Sequence, residues 1–129
     1  MIKKLDTIFG KFIRLRDTNE YGWGGCITCG EWFEYKELEC GHFRSRRNLT
    51  TRWLPENANA QCTECNRKED IGAYMIAILN LHGMDVASDI IAKSKVSYKF
   101  SKDEYEEMYK HYRAKAKELL KDKMFKVNL

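Results

Sequence analysis

The sequence lacks any segment that would carry the chain into or across a membrane. It has no apolar run near the ~18 residues of a membrane-spanning helix and no secretory hydrophobic region. Internal repeats and low-complexity stretches are also absent, which argues against solenoid and array architectures. We therefore expect a cytoplasmic protein with one domain and a helical addition, as its 129 residues allow.

Cysteine is sparse and odd in number, with five residues in the chain. A disulfide framework is uncommon in the reducing cytosol, so clustered cysteines are better explained as metal ligands. Hydrophobic residues make up 43% of the chain, which is enough for a modest core. The formal net charge of +4 is only mildly basic and by itself says little about a polyanionic partner.

Acidic residues are missing from one segment. Between Cys40 and Pro55, the only proline, there is no Asp or Glu, but there are four arginines: Arg44, Arg46, Arg47 and Arg52. Such a segment is either a solvated surface loop or a surface that contacts phosphate, and arginine suits bidentate contact with phosphate. The neighbouring Trp53 packs under this loop or wedges against an unpaired base, and we favour packing.

Apolar periodicity predicts an α+β fold that is mainly helical, with one small β-hairpin. The hairpin is expected between Trp32 and Cys40, turning at Lys36–Glu37, and residues 44–55 are expected to form an ordered loop. The predicted helices cover residues 2–17, a segment from near Cys62 through Leu79 that stops at Gly83, residues 85–93, and a last helix opened by the Ser101–Glu104 capping box. We place a core over residues 1–80 and a helical extension over residues 81–129, packed on that core.

Four of the cysteines form two pairs with metal-ligand spacing, Cys26-Ile-Thr-Cys29 and Cys62-Thr-Glu-Cys65. Each pair brings two sulfurs to one tight turn, and two turns supply a tetrahedron that suits Zn²⁺ at about 2.3 Å per bond. The pairs are further apart than in an ordinary zinc ribbon, so a hairpin and a loop are inserted between them. We predict a structural zinc that contributes folding energy, and we expect Cys40 to be a small buried residue.

Six short motifs follow one another around and between the two cysteine pairs: Phe-Ile-Arg-Leu-Arg (12–16), Cys-Ile-Thr-Cys-Gly (26–30), Cys-Gly-His-Phe (40–43), Ser-Arg-Arg (45–47), Thr-Arg-Trp (51–53) and Ala-Gln-Cys…Cys-Asn (60–66). In these motifs the sequence resembles the phage recombination protein NinG (Rap) family, within the HNH or ββα-metal class of nucleases. The resemblance covers roughly residues 4–80. It implies a zinc-stapled endonuclease that cuts branched DNA such as Holliday junctions, in the host cytoplasm if a phage encodes the chain.

The resemblance also assigns catalytic roles to three residues. It makes His42 the general base, Asn57 the residue that braces the loop, and Asn66 a ligand of the catalytic ion. The chemistry agrees, because a neutral histidine can take a proton from water near pH 7. Mg²⁺ or Mn²⁺ would act as Lewis acid, and an asparagine carbonyl with one acid suits such a hard ion. Asn57 could also be an ordinary turn residue.

This sequence departs from the family pattern at Gly41, where most members carry an acid or a histidine that ligates the catalytic ion. Glu39 is the nearest replacement. Glu37, Glu64 and Glu69 remain alternatives, as does a site with one protein ligand and more water.

Two other functions fit parts of the sequence. A zinc-ribbon module that binds nucleic acid without catalysis would need the cysteines and the basic loop, but not His42, Asn57 and Asn66. A redox protein would need a single reactive cysteine pair in a βαβ setting, which the chain does not offer. His42 could instead ligate zinc, although four cysteines already complete one zinc site. A homodimer is compatible with cutting both strands of a junction.

Overall fold

The computed structural model describes residues 1–129, and its first helix follows the apolar stripe of the sequence. Helix α1 (Ile2–Arg16) buries Leu5, Ile8, Phe9 and Ile13 almost completely. The helix ends when Asp17 leaves helical geometry, one residue before the predicted end. This buried face of α1 belongs to the larger of the two apolar clusters of the protein.

The remaining elements form a mixed α+β fold, which confirms the predicted fold class. There are four short strands, β1 (Trp23–Gly25), β2 (Trp32–Glu34), β3 (Leu38–His42) and β4 (Ala58–Cys62). Five further helices follow, α2 (Leu49–Arg52), α3 (Thr63–Lys68), α4 (Ile71–His82), α5 (Met84–Ser94) and α6 (Lys102–Leu120). No helix is both long and apolar enough to span a bilayer.

The strands pair differently from the single hairpin that the sequence predicts. Strand β1 pairs with β2, and β3 pairs with β4, so the predicted hairpin of residues 32–40 is wrong. A 3-10 turn at Tyr35–Glu37 does separate β2 from β3, but it sends them into different sheets. In the β3–β4 pair, Glu39 lies opposite Gln61 and His42 lies opposite Ala58.

Two helical predictions also need correction. The helix predicted from Cys62 to Leu79 is interrupted, because Glu69 adopts a left-handed conformation (φ 52°) and the Asp70 carboxylate caps a new helix at the Ala73 N–H. The predicted loop of residues 44–55 contains the short helix α2. The capping box at Ser101 and Glu104 is present as predicted.

Two apolar clusters hold these elements together. The larger joins α1 to α6, where Tyr112 stacks on Phe12 and meets Phe9 edge-on. The smaller lies between α4 and α5 and includes Phe43, which directly follows β3. The end of β3 is therefore packed between both clusters, where its side chains are held in fixed positions.

Candidate functional site

The four paired cysteines come together at one end of the β3–β4 hairpin. Cys26 follows β1 and shares with Cys29 a turn that Gly30 closes at φ 76°. Cys62 ends β4, and Cys65 lies in the first turn of α3. The four Sγ atoms all lie within 4.8 Å of one another. Four thiolates at about 2.3 Å from a common centre would have similar separations, so the cluster fits one zinc ion.

Backbone N–H groups surround these sulfurs, as expected for a metal-binding knuckle. The Cys65 N–H donates to Cys62 Sγ at 3.4 Å. Burial raises the pKa of the Cys26 thiol, but hydrogen bonds from the N–H groups of Cys29, Cys62 and Thr28 outweigh burial and bring that pKa to about 7. Cys40 lies outside the cluster and is half-buried rather than buried as predicted. Burial raises its pKa to about 12, which disfavours the reactive thiolate.

Beside the cysteine cluster lies an open cleft of about 560 Å³. It brings together His42 from β3, Gln61 from β4 and Asn66 from α3, with arginines of the loop on one side. The complete lining is Cys40, His42, Phe43, Ser45, Arg46, Arg47, Gln61, Asn66, Glu69, Asp70, Ile71 and Tyr74. Of the predicted site residues, His42, Asn66, Arg46 and Arg47 therefore share a surface that a ligand can reach. The others do not line the cleft: Glu39, Arg44, Arg52 and Asn57.

The ring of His42 is held in one orientation. Its Nε2 lies 2.8 Å from the carbonyl oxygen of Arg52, so Nε2 carries the hydrogen and donates it. In the neutral ring Nδ1 is then unprotonated and free to accept a proton. Burial lowers the pKa of His42, and the charges of Arg46 and Arg52 act in the same direction, whereas the Arg52 carbonyl and Asp6 oppose it. The geometry therefore favours a neutral imidazole near pH 7.

Asn57 is completely buried, and its side chain ties the two ends of the loop together. Its Oδ1 accepts the Arg44 N–H at 2.7 Å, and its Nδ2 donates to the carbonyls of Arg44 and Thr51 at 3.1 and 2.9 Å. Its own carbonyl accepts the Phe43 N–H at 2.8 Å. These bonds hold the chain that follows His42 and the chain that precedes Arg52.

Asn66 and Glu39, the two proposed ligands of a catalytic ion, are in direct contact. Asn66 Nδ2 donates to Glu39 Oε1 at 2.9 Å, which leaves Asn66 Oδ1 without a partner. Among the alternatives, Glu37 bonds to the backbone N–H of Glu34, and the exposed Glu64 pairs with Lys68. Glu69 lines the cleft. An oxygen-rich donor set of this kind fits a hard divalent ion.

The arginine-rich loop is not free of acids in three dimensions, because Asp6 of α1 reaches into it. Asp6 accepts hydrogen bonds from Arg46 (2.7 Å), from Arg52 (2.6 Å) and from Trp53 Nε1 (2.9 Å). Burial raises the pKa of the Asp6 carboxyl, but these donors outweigh burial and the pKa is lowered. The Arg52 side chain is only 18% exposed, so its position favours bracing over phosphate contact.

The other arginines are more accessible. Arg47 is exposed and its side chain makes no ion pair, and Arg46 remains 56% exposed despite its pairing with Asp6. Arg44 donates from Nε to Ser94 Oγ at 3.2 Å and is half-buried. Trp53 packs in the core, as we favoured, with Phe100 and Tyr105 edge-on to its ring.

Sequence reasoning missed two residues of the site, Asp6 and Gln61. Asp6 lies on the polar side of an amphipathic helix, and nothing in the sequence connects it to a loop 40 residues away. Gln61 directly precedes Cys62, in a segment that was not predicted to be a strand. Strand pairing with β3 was the information needed to place it next to Gly41.

Comparison with known proteins supports the resemblance seen in the motifs. A profile of the family described as bacteriophage lambda NinG protein matches residues 1–122. No curated protein and no solved structure matches the chain.

Proposed function

The chain belongs to the family of the bacteriophage lambda NinG protein, and on that premise we propose that it is a zinc-stapled, metal-dependent DNA endonuclease of the HNH class. Its substrates would be branched recombination intermediates such as Holliday junctions. One observation carries the proposal: His42 faces an open cleft with Nε2 bound to a carbonyl, so that Nδ1 can act as a base beside oxygen donors and arginines.

The proposed reaction is hydrolysis of a phosphodiester. Nδ1 of His42 takes a proton from a water molecule, whose oxygen attacks phosphorus while the bond to the leaving sugar oxygen breaks. A divalent Mg²⁺ or Mn²⁺ ion, held by Asn66 and a neighbouring oxygen donor, would neutralise charge on the phosphate and the leaving oxygen. The Arg52 carbonyl steadies the imidazolium that forms, because it accepts the Nε2 hydrogen in both charge states.

The surrounding residues position these groups. Asn57 fixes the loop that carries the Arg52 carbonyl, and the cysteine cluster fixes the first turn of α3, which carries Asn66. Arg46 and Arg47 line the cleft and can contact phosphates that flank the scissile bond. A zinc-ribbon module that only binds DNA would need none of the ordering around His42.

The test is cleavage of a labelled four-way junction and a matched linear duplex by zinc-loaded protein in Mg²⁺ or Mn²⁺. Replacing His42 by alanine should reduce the cleavage rate by about 10²–10⁴-fold while junction binding is retained. His42→Gln, which can still donate to the Arg52 carbonyl, should lose activity with less effect on stability. His111→Ala, at an exposed position on α6 outside the cleft, is the matched control. Equal cleavage by wild type and His42→Ala would refute the proposal, and binding without cleavage by wild type would favour the binding module.

A further inference from the structure

Position 41 offers no ligand to a cation in the cleft, and the structure shows what occupies the space instead. A Cβ atom built on Gly41 would lie 2.0 Å from Gln61 Oε1 and 2.8 Å from Gln61 Cδ. No side chain fits there while Gln61 keeps its position. The glycine therefore leaves room for the amide of Gln61, which reaches across from the paired strand.

The Gln61 amide is anchored at one end and free at the other. Nε2 donates to the Thr28 hydroxyl at 2.7 Å, and Thr28 lies inside the first cysteine turn. Oε1 accepts no hydrogen bond in the protein, although the residue is only 4% exposed and lines the cleft. In buried amide side chains both the NH₂ group and the oxygen usually form hydrogen bonds. An amide oxygen that has no such partner and lines a cleft is therefore available to a ligand.

A second oxygen is free on the same side of the hairpin. Asn66 uses its Nδ2 to bind Glu39, and Asn66 Oδ1 has no partner. Glu39 lies directly opposite Gln61 in the β3–β4 register and contacts Asn66, so all three side chains belong to one face. Two amide oxygens next to a carboxylate provide the neutral and anionic donors that Mg²⁺ and Mn²⁺ accept.

We propose that Gln61 supplies the oxygen ligand that Gly41 lacks, and that Gln61 Oε1 and Asn66 Oδ1 together hold the divalent cation of the cleft. Both residues are adjacent to zinc ligands, since Gln61 precedes Cys62 and Asn66 follows Cys65. The cysteine cluster thus positions both amides, one of them also through Thr28. This inference rests on the proposed function, because it names a ligand of the ion that the nuclease reaction requires.

The test measures Mn²⁺ binding to the zinc-loaded protein by electron paramagnetic resonance, without DNA. Gln61→Met keeps the size of the side chain but removes the oxygen, and it should weaken Mn²⁺ binding by about tenfold or more with zinc content unchanged. Gln61→Glu should bind Mn²⁺ at least as tightly as wild type, because a carboxylate replaces the amide. Glu118→Gln removes an exposed acid of α6 that pairs with Lys121 and should have no effect.

A swap of positions makes the test independent of whether Gln61→Met folds well. Gly41→Asp alone should clash with the Gln61 side chain. The double variant Gly41→Asp, Gln61→Gly removes that clash and places a carboxylate where the amide was, so it should bind Mn²⁺ more tightly than Gln61→Met. Undiminished Mn²⁺ binding by Gln61→Met, or a loss seen only in Glu69→Gln, would overturn the assignment of Gln61. In that case His42-dependent cleavage by the wild type would still stand. A wild type that neither binds Mn²⁺ nor cuts DNA would overturn both proposals.

Discussion

Replacing Asn57 by alanine should cost more stability than any other single polar substitution in the loop. The side chain makes three hydrogen bonds and is fully buried, so its loss leaves both the Arg44 N–H and the Arg44 carbonyl without partners. Each net hydrogen bond contributes about 1 kcal/mol, and each buried group left unpaired costs about 1–3 kcal/mol. We expect the free energy of unfolding to fall by about 3 kcal/mol.

The assay is urea unfolding of the zinc-loaded protein, followed by circular dichroism. Asn48→Ala is the matched control, because Asn48 lies in the same loop and its side chain caps nothing, so its loss should change stability by about 0.5 kcal/mol or less. Cleavage measured well below the unfolding transition should also slow in Asn57→Ala, since the loop carries the carbonyl that orients His42. A loss of stability no larger than that of Asn48→Ala would refute the role of Asn57 as a brace.

Three further outcomes are expected. Elemental analysis should find one zinc per chain, and strong chelation should unfold the protein; folded, zinc-free protein would contradict the assignment of Cys26, Cys29, Cys62 and Cys65. Because burial lowers the pKa of His42, cleavage at fixed Mn²⁺ should decline at low pH as the ring takes up a proton, with its half-maximal rate below the ordinary histidine pKa of about 6.5; a half-maximal rate above that pH would contradict this. Replacing Arg46 and Arg47 by alanine should reduce the log–log salt slope of junction binding by about two units. A groove on α6 is lined by three further cations, Lys110, Arg113 and Lys117. If the salt slope changes when these three are replaced, but not when Arg46 and Arg47 are replaced, α6 is the surface that contacts phosphate.

Local patterns in the sequence were sufficient for most helices and for the cysteine cluster. Periodicity identified α1 and α5, the capping box identified the start of α6, and the spacing of the cysteines brought four sulfurs together. These features depend on residues a few positions apart, for which propensity and spacing are informative. The break between α3 and α4 was missed because the residue that adopts the left-handed conformation there is Glu69, not a glycine.

Strand β4 was missed for a different reason. Its sequence, Ala-Asn-Ala-Gln-Cys, has none of the β-branched or aromatic residues that indicate a strand, yet all five residues are buried. The polar members donate hydrogen bonds to distant groups, Asn59 Nδ2 to the Tyr74 hydroxyl and Gln61 Nε2 to the Thr28 hydroxyl. Asp6 and the loop arginines are joined in the same way, across 40 or more residues. Only the folded structure reveals such pairings.

The site is held from two sides, and β4 connects them. At the start of β4, Asn57 and the hydrogen bonds around Asp6 fix the loop whose Arg52 carbonyl binds the His42 ring. At its end, Cys62 begins the turn that carries Asn66. The base therefore depends on packing against α1, whereas the oxygen donors depend on the cysteine cluster. Since a general base and a bound cation must act on one phosphate at fixed separation, the short strand that joins their two anchors sets the geometry of the proposed reaction.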